Sequence, residues 1–141
     1  MKKSIYILIA FLSFTALQAQ DLKLSELPAP AQSFLKKHFK SALKEAEKDK
    51  GLANVTYDVT LMDGTEIEFS STGEWREVDG NGKAIPTSFM AGGISSYVKT
   101  NYPKAAITKI ALEIMGGYAV NLSNGKELEF NKKGEFLKVI K

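Results

Sequence analysis

The chain has 141 residues, 44% hydrophobic and 25% charged, with a net charge of +3 and an isoelectric point near 9.0. That balance excludes global disorder, and the length fits one domain or two small ones. With no cysteine and one histidine, disulfides, thiolate zinc sites, cysteine nucleophiles and multi-histidine metal centres are all excluded.

The chain opens with a basic Met1-Lys2-Lys3, an apolar run from Ile5 to Leu17, and the small residue Ala19 before Gln20. This order predicts a secretory signal peptide over residues 1–19. The run is shorter than the roughly 20 residues that a membrane-spanning helix needs. No cysteine follows it to carry a lipid, and no second run of spanning length exists. The expected address is therefore exported, periplasmic or secreted, with no membrane span after cleavage. Lys2 and Lys3 leave with the signal, and the net charge falls to +1. The basic isoelectric point thus makes no general case for a nucleic-acid partner.

After a lead over residues 20–26, Pro28 opens an expected helix whose apolar positions are Ala31, Phe34, Leu35, His38 and Phe39. Residues 42–49 read as helix by propensity. Their counterpart, Ala106–Ile114, is rich in β-branched residues, and this favours a strand; the rival is a first helix running on to about Lys48. Tyr57, Val59 and Leu61 alternate with polar residues as a half-buried strand does. Asp63-Gly64 predicts a two-residue type I′ hairpin turn. Ile67 and Phe69 mark the return strand, Gly73 a further turn, and Glu74–Val78 a last strand. Residues 79–84 read as a solvated linker.

The order then recurs. Pro86 stands at the expected start of a second helix, with Met90, Ile94, Tyr97, Val98 and Tyr102 on its apolar face. Gly92-Gly93 weakens that helix, since each Gly costs roughly 1 kcal/mol relative to Ala, and would let it approach the sheet closely. Tyr57–Phe69 recurs without a gap as Tyr118–Phe130, including the turn signal Asn124-Gly125, and Gly73-Glu74-Trp75 recurs as Gly134-Glu135-Phe136. The last strand is expected over Glu135–Ile140. The fold class expected is α+β, built from two tandem repeats, residues 27–78 and 85–141. Each would be a helix packed on a four-stranded antiparallel meander. The uncovered face would carry Asp58, Thr60, Glu66, Glu68, Asn121, Ser123, Glu127 and Glu129.

These motifs resemble the PepSY-like family of secreted, β-lactamase-inhibitor-like bacterial proteins. The likeness rests on Leu27-Pro28, the Tyr-x-Val-x-Leu-x-Asp/Asn-Gly-x-Glu-Ile/Leu-Glu-Phe run and Gly-Glu-Trp. It covers nearly the whole chain after the signal. The second copy departs at Phe136, where the family favours Trp, and at Gly92-Gly93. The resemblance implies a layout similar to that of the β-lactamase inhibitory protein, in which a continuous sheet meets a partner enzyme. It implies no functional residues, because the matched motif is a folding motif.

The residues themselves offer little chemistry. His38 lacks the partners a base or metal ligand needs, and its counterpart is Asn101, so it reads as a partly buried structural residue. Asp79-Gly80-Asn81-Gly82 hints at a calcium loop, but the twelfth position is Ser88 where such a loop needs Glu. Ser33, Ser95 and Ser96 have no nucleophile setting. Lys36-Lys37-His38-Phe39-Lys40 reads as the polar face of a helix. The candidate partner contacts are the paired carboxylates Glu66, Glu68, Glu127 and Glu129, together with Trp75, the sole tryptophan. Trp75 reads either as core or as a contact on the open sheet face. No catalytic, metal or cofactor-binding residue is expected. The expected function is a non-enzymatic binding or inhibitor-like module whose partner is an unidentified protein, such as a periplasmic or extracellular enzyme. The alternative is a small-ligand or cation-binding periplasmic protein.

Overall fold

The computed structural model describes residues 20–141; the expected signal peptide, 1–19, lies outside the described residues. The strands are β1 (Gln20–Asp21), β2 (Leu43–Lys50), β3 (Val55–Leu61), β4 (Glu66–Ser70), β5 (Trp75–Asp79), β6 (Ile107–Leu112), β7 (Tyr118–Leu122), β8 (Glu127–Phe130) and β9 (Phe136–Val139). The helices are α1 (Ala29–His38), before β2, and α2 (Gly92–Asn101), before β6; a 3-10 turn spans Leu24–Glu26. The fold is α+β. All nine strands lie in one antiparallel sheet in sequence order, with β1 a two-residue addition to its edge. The stretch expected at 42–49 is strand, over Leu43–Lys50, as the comparison with Ala106–Ile114 favours.

Both helices lie on the same side of the sheet. Ala31 and Leu35 of α1 and Ile94 and Val98 of α2 join Val59, Leu61, Ile67, Phe69, Val78, Ile110, Val120, Leu122, Leu128 and Phe130 in one core. Burial of each large aliphatic or aromatic side chain is worth about 1.5–3 kcal/mol. The helix starts sit on glycine turns. A Cβ at Gly73 would meet Pro28 Cβ at 2.8 Å, and one at Gly134 would meet Ala91 Cβ at 2.9 Å. Gly93 comes as near as its sequence suggests: a Cβ there would lie 2.5 Å from the Gly134 carbonyl oxygen.

The hairpins differ from expectation. A type I′ turn needs positive φ at both central residues. Among the described non-glycine residues only Asn81 has positive φ, so Asp63 and Asn124 do not meet that need. The Leu61 carbonyl accepts Gly64 N–H at 3.0 Å and the Thr65 carbonyl accepts Leu61 N–H at 2.8 Å, and Leu122, Gly125 and Lys126 repeat the pattern at 3.0 and 2.8 Å. Each loop thus has three residues and closes through a left-handed Gly64 (φ 90°) or Gly125 (φ 86°). Asp63 Oδ1 accepts Thr65 N–H and Asn124 Oδ1 accepts Lys126 N–H, which holds the longer loop.

Pro86 does not open the second helix. The segment ahead of α2 is irregular and turns where the Thr87 carbonyl accepts Met90 N–H at 3.1 Å, burying Ile85 and Met90 and bringing Phe89 against α1. His38 closes this contact. Its Nδ1 lies 2.8 Å from Ser88 Oγ, and its ring packs 5.0 Å from Phe34 and 5.6 Å from Phe89. Burial, helped by Lys37, lowers its pKa. The expected linker is partly strand: Asp79 ends β5, and Gly80 is buried with its N–H on the Thr108 carbonyl.

Candidate binding face

The side of the sheet away from the helices is open, and the strand register fixes which side chains share it. The pairings Asp21–Glu47, Glu47–Asp58, Asp58–Glu68 and Glu68–Glu77 set a carboxylate on every strand from β1 to β5 in one continuous row. The next row runs Glu45, Thr60, Glu66 and Asp79. Neighbouring strands are about 4.8 Å apart, so facing carboxylates are direct neighbours. Strand alternation sorts the charges of β2: Glu45 and Glu47 face outward, while Lys48 turns to the other side, 5.7 Å from the Tyr57 ring centroid.

The same rows change character beyond β5. The first continues through Ala111, Ala119, Glu129 and Lys138, the second through Lys109, Asn121 and Glu127. Lys109 Nζ lies 3.0 Å from Glu77 and 3.5 Å from Asp79 and marks the end of the acidic zone. The hydrogen bond to Glu77 raises its pKa. Glu129 is paired to Lys138 at 3.3 Å. The open face is therefore strongly acidic over β1–β5 and mixed over β6–β9.

The acidic zone contains a hollow of about 290 Å³ whose polar walls are Asp58, Thr60, Glu66, Glu68 and Glu77. Burial, then repulsion from Glu68, Asp49, Glu66 and Glu77, raises the pKa of Asp58. At the sheet edge Asp21, Glu45 and Glu47 bring carboxylate oxygens within 4.8 Å of one another. Desolvation, then repulsion from Glu45 and Asp21, raises the pKa of Glu47.

The expected contacts do not form one cluster. Glu66 and Glu68 lie inside the acidic zone. Glu127 and Glu129 lie on β8, four strand spacings or about 19 Å away. Trp75 is not on the open face. A bulge at Arg76 makes Trp75 pair with Phe69, and its indole lies among Phe34, Phe89 and Tyr118 on the helix side, half-buried. Sequence reasoning missed Asp21, Glu45, Glu47, Glu77 and Asp79 as members of the face. The alternation of β2 could have pointed to Glu45 and Glu47, and that about Val78 to Glu77 and Asp79; Asp21 depends on pairing between strands.

A family model described as "Putative beta-lactamase-inhibitor-like, PepSY-like" matches residues 55–138. No curated protein matches the chain. Among solved structures, the chain is similar to a "putative calcium-regulated periplasmic protein" from Bacteroides thetaiotaomicron, with 31% identity and a TM-score of 0.81 over 87% of this chain and 97% of that one. It is also similar to two from Bacteroides vulgatus. One, described as periplasmic and of unknown function, has 36% identity and a TM-score of 0.79 over 87% of this chain and 99% of that one. The other, also described as periplasmic, has 31% identity and a TM-score of 0.79 over 87% and 97%. The exported, periplasmic address read from the sequence agrees with all three. Among the described residues, no helix is long and apolar enough to cross a membrane.

Proposed function

The chain belongs to the PepSY-like, β-lactamase-inhibitor-like family, and from that premise we propose that it is a non-enzymatic, exported binding module. It is built from a duplicated helix-and-four-strand unit, and it meets a basic protein surface through the β1–β5 part of its open sheet face. The observation that carries this reading is the unbroken carboxylate row from Asp21 to Glu77. Like charges directly opposite on neighbouring strands destabilise a sheet, and a face with no partner is better served by mixed signs. An acidic face also steers a basic partner from a distance, raising the association rate at low salt.

The test is capture from a periplasmic extract by the exported chain, in low and high salt, beside the charge-reversed variant Glu68→Lys/Glu77→Lys. The expected result is a protein retained by the wild type at low salt, released by about 1 M salt, where screening falls to about 3 Å, and lost with the variant. Retention that ignores both salt and charge reversal would sink the reading.

A second reading, cation binding at the same face, is favoured by the Asp21–Glu45–Glu47 trio. The similar protein described as calcium-regulated supports it. Ca²⁺ bound to the native state alone must raise the melting temperature. The rise should vanish in Glu45→Gln/Glu47→Gln, and a flat titration through the millimolar range would remove this reading.

A further inference from the structure

A second surface lies at one hairpin on the helix side. The β6–β7 connection is a tight turn: the Gly117 carbonyl accepts Glu113 N–H at 3.0 Å and the Glu113 carbonyl accepts Gly116 N–H at 2.9 Å. Its outer positions hold Ile114 and Met115, 96% and 88% exposed. The other glycine-closed hairpin turns carry Met62-Asp63, Ser71-Thr72, Ser123-Asn124 and Lys132-Lys133 at those positions. Packing within the chain gives no reason for two adjacent apolar side chains at this tip, and such exposure marks an interaction site.

The base of the same hairpin opens on a cleft. Leu112 and Tyr118 form the last paired rung below the tip. With Pro30, Phe34, Glu74 and Trp75 they line a cavity of about 390 Å³. The ring of Trp75 lies nearly parallel to those of Tyr118 and Phe34, at 6.1 and 6.3 Å between centroids. Glu74 is the one charged side chain in this lining. The tip brings a cation beside its own exposed Glu113, because the Lys132 side chain packs against Gly116.

We propose that tip and cleft are two halves of one self-complementary surface whose occupant is a second copy of this chain. The Ile114–Met115 tip of each copy enters the aromatic cleft of the other, and Lys132 meets Glu74 across the contact. Tip and cleft adjoin on one hairpin, so a two-fold axis beside them makes both contacts at once and closes the pair. Two inserted side chains make a small contact, so the association is expected to be weak and concentration-dependent. The acidic face lies on the other side of the sheet and stays free for its own partner.

Trp75 is the only tryptophan and lines the cleft, so its emission reports occupancy. The experiment follows sedimentation equilibrium and tryptophan emission of the exported chain from about 10 μM to about 1 mM. The expected result is a shift from monomer to dimer mass, with a blue shift of emission over the same range. Ile114→Asp/Met115→Asp should raise the dissociation constant about thirtyfold or more with the melting temperature unchanged, since both residues are exposed. Lys132→Glu should weaken association, and adding Glu74→Lys should restore it. Monomer mass with constant emission throughout, association that survives the double aspartate variant, or failure of the charge swap to restore pairing would each overturn the proposal.

Discussion

Asp58→Asn should stabilise the protein while weakening its acidic face. Asp58 sits directly between Glu47 and Glu68 on the flanking strands. Each facing like-charge pair costs roughly 0.2–1 kcal/mol, so neutralising the central residue relieves about 1 kcal/mol. For a domain of this size that is a rise in melting temperature of about 3–5 °C. The amide keeps the shape of the carboxyl and can donate to the carboxylate on either side. Burial and the surrounding carboxylates raise the pKa of Asp58, so the folded chain holds this proton more tightly than the unfolded one. The cost of ionisation is absent below the ordinary carboxylate pKa and complete above the raised one. The gap between variant and wild type should therefore be widest near neutral pH and close as the pH falls through the carboxylate range. It should also shrink in about 1 M salt. Thermal unfolding followed by circular dichroism at low and high salt, at neutral and acid pH, measures all of this. A variant that melts no higher than wild type at neutral pH and low salt would refute the reasoning, as would a gap indifferent to salt.

Four further outcomes follow from the packing. Gly93→Ala should cost about 1–3 kcal/mol in urea unfolding, because its Cβ would meet the Gly134 carbonyl oxygen at 2.5 Å. Gly92→Ala, whose Cβ meets nothing within 4 Å, should be neutral or stabilising by up to about 1 kcal/mol. Phe69→Ala, at a fully buried position, should cost about 3–5 kcal/mol by the same measurement. His38 has a lowered pKa, so its contribution is complete above the ordinary histidine value of 6.5 and is lost as pH falls through and below it. His38→Gln should flatten stability against pH below the ordinary histidine value, as read by denaturant midpoints.

Much of this architecture was legible along the chain because its signals are local. Alternation in Tyr57–Leu61 and Tyr118–Leu122 specifies half-buried strands. Apolar spacing in Ala31–Phe39 specifies a helix. Gly64, Gly73, Gly125 and Gly134 specify turns through their backbone freedom. The strand at Leu43–Lys50 was legible only by comparison with Ile107–Leu112, since its own residues favour helix. The turn at Asp63-Gly64 was placed correctly but given the wrong geometry, because the same dipeptide suits both a two-residue turn and the end of a three-residue one.

The candidate face shows where local signals end. The sequence by itself determined, through the alternation of β4 and β8, that Glu66, Glu68, Glu127 and Glu129 face away from the helices. Only the tertiary structure decided which of these have acidic neighbours. The registers of β2 to β5 align Glu47, Asp58, Glu68 and Glu77, and pairing of Asp79 with Lys109 joins β5 to β6, where alanines and lysines follow. The side on which Trp75 lies was settled in the same way. Strict alternation from Val78 turns it outward, and the bulge at Arg76 turns it inward onto Phe34 and Tyr118. The physical reason is common to both. A strand's own side-chain direction repeats every two residues, whereas its neighbours and its slips are fixed by hydrogen bonds to segments distant in sequence.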